Sequence, residues 1–178
     1  KTEYIKDSLV KLIRLLKLPI AIFLIEGGYG VHPRWSDVVR KGKITGGVKK
    51  VIEYEEYSAL SDDELYALIK QSLFVNEAKL DYEYKSKKSA EYLERAMYVC
   101  PYCGLTTYYS QNDWIICSRC GKKIQYLPTK ELRGVGHDFP FTFVNEWYEH
   151  QNDYIRKTDL SVYKDKPAYT DTVQFSKV

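Results

Sequence analysis

Cys100-Pro101-Tyr102-Cys103-Gly104 and Cys117-Ser118-Arg119-Cys120-Gly121 hold all four cysteines of the chain. They form two Cys-x-x-Cys pairs with thirteen residues between them. Four thiolates at this spacing converge on one tetrahedral ion, and Zn²⁺ is the default occupant. Iron also suits four sulfurs, so the spacing fixes ligation more firmly than the metal. Two disulfides are the other arrangement. Against them stand the lack of any stretch like a signal peptide and the confinement of the cysteines to one small module. A closed Cys₄ site leaves no position for substrate, so its expected role is structural. Gly104 and Gly121 follow each knuckle, where a positive φ is often required. Between the knuckles, Leu105–Tyr109 and Trp114–Ile116 read as strands around the turn Ser110–Asp113, which makes the segment a zinc ribbon.

Three other groupings have chemistry to offer. Glu26-Gly27-Gly28-Tyr29-Gly30 is a glycine-bearing loop whose backbone could approach a phosphate, although it lacks the Rossmann and P-loop spacings. Arg34, Arg40, Lys41, Lys43, Lys49 and Lys50 follow closely, as an anion site or as a solvated basic face. His32 and Asp37 make one literal His-x₄-Asp, the pattern of a base and its orienting carboxylate. Pro33 removes a backbone donor from that turn, and the preferred reading is a surface loop. His137 and His150 have no evident partner in the sequence.

The elements that must position these groups follow from periodicity. Ile5, Leu9, Leu12, Ile13 and Leu16 mark an amphipathic helix that Pro19 ends. Its basic residues also allow a membrane-surface helix, but packing on a sheet is the preferred reading. Ile20–Ile25 is a continuous apolar run, as in a strand buried on both faces of a parallel sheet, and Val48–Ile52 is a second strand. Ser61-Asp62-Asp63-Glu64 is a capping box opening a helix with Leu65, Leu68, Ile69 and Leu73 on one stripe. Asp81–Lys88 reads as a loop and Ala90–Arg95 as a short helix into the ribbon. Leu127-Pro128 leaves the ribbon, and Gly134–Gly136 makes a flexible turn. Val144, Trp147, Tyr148, Gln151, Tyr154 and Ile155 then form a largely aromatic helical face. The tail from Ser161 to Val178 alternates weakly and breaks at Pro167.

The 178 residues carry a net charge of +3, 17 tyrosines and 3 tryptophans. So small a charge argues against a dedicated nucleic-acid binder, and no apolar run reaches the ~18–20 residues of a membrane span. The division expected is 1–96 as an α/β layer, 97–127 as the ribbon, and 128–178 as linker, amphipathic helix and the start of a further segment. The chain opens on Lys1, and Met97 is its only methionine, so it reads as a piece of something longer.

The order of helix, Leu18-Pro19-Ile20-Ala21-Ile22, glycine loop, Pro33-Arg34, Lys41-Gly42-Lys43 and the strand at Val48–Ile52 resembles the C-terminal part of the 1-acyl-glycerol-3-phosphate (lysophospholipid) acyltransferase family. The ribbon, with Ala90–Ala96 before it and Pro140-Phe141 through Trp147-Tyr148 after it, looks like a Firmicutes-type branch. The resemblance implies acyl transfer to a glycerol hydroxyl, with a lysophospholipid and an acyl donor as partners. It implies a cytoplasmic place at the inner face of the membrane, and Gly27, Gly28, Tyr29 and Arg34 beside the substrate. The family's catalytic box would lie upstream of Lys1, and His32 and Asp37 fall after the strand that the box should precede. A non-enzymatic zinc-ribbon module contacting nucleic acid or a protein partner is the alternative.

Overall fold

The computed structural model describes residues 5–165, in two apolar cores stitched together by the loops between them. The predicted tail falls largely outside the described residues. The first core gathers α1 (Ser8–Leu16), β1 (Ile20–Glu26), β2 (Thr45–Ile52), α3 (Tyr54–Ser58) and α4 (Asp62–Ser72). Val10, Ile22, Ile52, Tyr57, Leu65 and Ile69 are its buried residues. Lys17 closes α1 in the left-handed conformation, φ 53°, two residues before the proline. At the head of α4, Ser61 accepts from the Glu64 amide while Glu64 reaches back to the Ser61 amide at 2.7 Å, the predicted reciprocal cap.

The parallel sheet expected around β1 does not form. β1 pairs antiparallel with β2, in a two-stranded sheet with an irregularity in register between Ile22 and Phe23. Only one face of this hairpin is covered, so the apolar run alternates: Ile22 is 3% exposed, Phe23 56% and Ile25 61%. A continuous hydrophobic run fits a doubly covered strand, but here the second cover is absent among the described residues. The coarse class, mixed helices and sheets followed by a cysteine cluster, stands. The acyltransferase-like layer does not.

The second core belongs to the ribbon. β3 (Val99–Cys100) pairs with β4 (Gly104–Leu105), and β5 (Tyr108–Gln111), β6 (Trp114–Cys117), β7 (Lys123–Tyr126) and β8 (Leu132–Gly134) form an antiparallel meander. β7 and β8 are strands where the sequence reading placed none; the exit at Leu127-Pro128 is the link between them, and the turn read from Gly134 follows β8. α5 (Val144–Lys157) crosses the ribbon and buries Trp147 completely, its indole Nε1 donating to Val99 O at 2.8 Å. Gln151 lies one turn on, accepting from the Tyr98 and Val99 amides and donating to Ala96 O. This one side chain satisfies three backbone groups that burial would otherwise leave unpaired.

Candidate metal centre

Two tight turns carry the four thiols toward one another. Gly104 and Gly121 take φ of 80° and 70° after the second cysteine of each knuckle, a conformation glycine adopts without strain. Arg119 donates from its guanidinium to Cys103 O at 2.9 Å, tying the second knuckle to the first. The result is a cluster in which the four Sγ atoms of Cys100, Cys103, Cys117 and Cys120 lie within 4.8 Å of one another. Cys100 and Cys120 sulfurs are 3.7 Å apart, and those of Cys103 and Cys117 3.6 Å. All four cysteines are free, so none is bonded to another. A tetrahedron with metal–sulfur bonds of about 2.3 Å has edges of about 3.8 Å, close to the separations seen.

Four thiols this close cannot all ionise without a cation. Burial and the neighbouring thiols push Cys103 and Cys120 up. Burial works on Cys117 in the same sense, but the Cys120 and Arg119 amides and the Thr106 hydroxyl outweigh it and bring that thiol down to about 7. A bound cation reverses the penalty for the remaining sulfurs, since it favours every thiolate at once. Tyr108 lies beside them. Its hydroxyl is buried with no hydrogen-bond partner, and burial, then the charge of Cys100, hold it protonated well above the usual range.

The other sequence candidates sit elsewhere, either engaged by other groups of the chain or exposed. Both oxygens of Glu77 accept from the Gly27 amide, at 3.0 and 2.9 Å, so this internal carboxylate fills the place a phosphate would take. Gly28 and Gly30 lie in α2 (Gly28–Val31), a single turn. A Cβ at Gly30 or Gly42 would fall 2.2 Å from the Tyr84 ring; the glycines make room for a tyrosine, not for a ligand. Tyr29 accepts from the Trp35 indole at 3.0 Å and packs against the ribbon core. Arg34 and His32 are exposed. Asp37 is held by Arg95, at 2.9 Å to each carboxylate oxygen, so it orients an arginine and not the His32 ring. His137 and His150 meet the rings of Tyr102 and Phe141.

Sequence reasoning missed Tyr84 and misread Arg40 as part of an anion site or solvated basic face. Arg40 is buried, its guanidinium 4.9 Å from the Trp35 ring centroid and 4.6 Å from that of Tyr126, donating to Tyr126 Oη and Ser89 O. Aromatic faces stabilise a desolvated cation, and here they join the loop after α2 to the ribbon. An arginine within a basic run gave no local signal of burial.

The fold and the site together define a ribbon module whose four clustered cysteines could hold a metal ion. A family model described as "Membrane iron-sulfur containing protein FtrD-like" matches residues 75–167, just over half of the chain, and the chain belongs to that family. No curated protein and no solved structure matches it. The family match overturns the acyltransferase resemblance, and with it acyl transfer, phospholipid biosynthesis and the lysophospholipid and acyl-donor partners. The family is described as a membrane one; among the described residues no helix is long and apolar enough to cross a membrane.

The family description also names an iron–sulfur group, and the donor set tests it. A polynuclear cluster places several irons and bridging sulfides between its cysteines and spreads the thiolates apart. Four sulfurs within 4.8 Å of one another have room for one ion and none for bridging sulfides. The geometry fits a single metal and does not fit a cluster.

Proposed function

We propose that this chain is a non-enzymatic metal-binding module of a membrane-associated protein. Cys100, Cys103, Cys117 and Cys120 hold one Zn²⁺ whose role is structural. The observation that carries the reading is the closed set of four sulfurs at tetrahedral spacing. With every ligand a protein thiolate, the ion has no open position at which to polarise a substrate. What it supplies is cross-linking: strands of two to four residues are held in place by one centre, and α5 docks on the result. The Tyr108 hydroxyl supports the same reading, since a Cys100 thiolate is an acceptor for a proton that otherwise has none.

In this reading residues 97–127 are the metal module and 128–178 bring α5 back across it, with 1–96 as the preceding layer. Four free cysteines suit the cytoplasmic, reducing side of the membrane. Metal analysis with a visible spectrum tests the centre. The expected result is about one zinc per chain and a colourless protein. Thiolate-to-iron absorption would replace zinc by a single iron. Acid-labile sulfide would point to a cluster and sink the single-ion geometry, and a reduced, folded chain without metal would sink the centre itself.

A further inference from the structure

The outer face of the β1–β2 hairpin is apolar and uncovered among the described residues. Phe23 lies opposite Val48 and Ala21 opposite Val51, and all four are exposed together with Ile25. Around the side of β1, Leu12 and Leu16 of α1 join Leu18 and Ala21 in lining one open groove. A contiguous apolar surface of this kind marks a contact with something else.

Two features narrow the occupant. Side chains stand off the face of a sheet, so a strand added at the β1 edge would leave Phe23 and Ile25 in water. Charge decides between the remaining candidates. Residues 20–26 and 41–52 carry four lysines, Lys41, Lys43, Lys49 and Lys50, against the single acid Glu26. That acid is taken by Lys49 at 2.9 Å. A second copy laid face to face and parallel would bring Lys41 and Lys43 of the two together, whereas an anionic lipid surface gains from both the apolar face and its basic end.

We propose that this face docks on an anionic bilayer, with Phe23 and Ile25 at the headgroup boundary and Lys41 and Lys43, beyond the Thr45 end of β2, toward the phosphates. Glu53, Glu55 and Glu56 gather beyond Ile52, at the opposite end of the hairpin from Lys41 and Lys43. The lysine end therefore lies nearer the lipid. The proposal rests on the membrane-associated reading and is independent of which metal fills the ribbon.

The test is flotation of the metal-loaded chain with vesicles of phosphatidylcholine alone or mixed with phosphatidylglycerol. Binding should favour the mixed vesicles and weaken about tenfold between low and high salt, as screening shortens the reach of the lysines. The double variant Phe23→Ser/Ile25→Ser should lose binding with unchanged tryptophan emission, because both residues lie outside the core. Lys41→Glu/Lys43→Glu should lose the preference for phosphatidylglycerol. A wild-type chain that stays unbound overturns the proposal, as does binding indifferent to both double variants. A dimer that becomes monomeric in Phe23→Ser/Ile25→Ser assigns the face to a second copy and overturns it equally. Metal content measured on the same samples bears only on the ribbon, so failure of docking and failure of the metal centre are read apart.

Discussion

In the ribbon region, Leu93, Ile115, Ile124 and Trp147 are wholly buried around four sulfurs that approach within van der Waals reach. In residues 5–73, a comparable set of buried side chains is covered on one side only, and Leu15, Leu18, Phe23 and Ile25 face outward. The ribbon's strands are too short to specify a core by pairing alone, and an isolated hairpin is marginal in water. In the proposed reading a central metal cross-link solves that problem by joining distant turns at a point. The first region has long enough helices to form a core without one, yet leaves a face that something else must cover. The family match lies on the closed side, from residue 75 to 167.

Removing the metal is the largest perturbation that separates the two regions. Cys117→Ser or strong chelation should cost the ribbon on the order of 10 kcal/mol. Trp35 and Trp147 lie in the ribbon core and Trp114 in β6, so tryptophan emission follows that region alone. Emission should shift to the red while the far-ultraviolet signal of α1 and α4 persists. Simultaneous loss of both signals would break the comparison.

Core truncations come next. Trp147→Ala should cost about 3–5 kcal/mol and Leu65→Ala about 2–5 kcal/mol, by lost burial and the cavity left behind. Only the first should loosen the metal, seen as faster transfer to a chromogenic chelator. A smaller effect addresses the join between the regions. Gly42→Ala places a Cβ 2.2 Å from Tyr84 Cδ1 and should cost about 1–3 kcal/mol by overpacking. Adding Tyr84→Ala should remove most of that cost, leaving the 3.0 Å approach to Glu83 O, a coupling that a double-mutant cycle measures.

The smallest expected effect belongs to Asp37. The hydrogen-bonded guanidinium of Arg95 holds its carboxyl below the usual range, although the pair is exposed. With the folded value depressed, its contribution is present above the unfolded carboxylate value and lost as pH falls through the folded one. Asp37→Asn should flatten that acid limb slightly in thermal midpoints taken across pH, and salt should erase the difference. A large loss would mean that Asp37 holds the ribbon onto the first region.

Local signals carried well. Ser61 with Glu64, the stripe of α5 and the strand at Trp114–Cys117 lie where the spacing put them, because each depends on partners a few residues away; the partner strand is Tyr108–Gln111, not Leu105–Tyr109, because Leu105 pairs with Val99. β7 and β8 were not legible, since Lys123–Tyr126 and Leu132–Gly134 are too short to show alternation and gain their identity from β6. The glycine loop misled for the same reason: its anion, Glu77, is fifty residues distant.

The sequence by itself determined the spacing of the cysteine pairs, the two glycine turns, the stop of α1 before Pro19 and the cap of α4, because these rest on covalent geometry and on contacts within one or two turns. Only the tertiary structure decided that β1 is half covered, that Arg40 is buried between two rings, and that Tyr84 fills the space Gly30 and Gly42 leave. Those outcomes depend on side chains brought together across forty to ninety residues, where burial and desolvation, not local pattern, choose the partner.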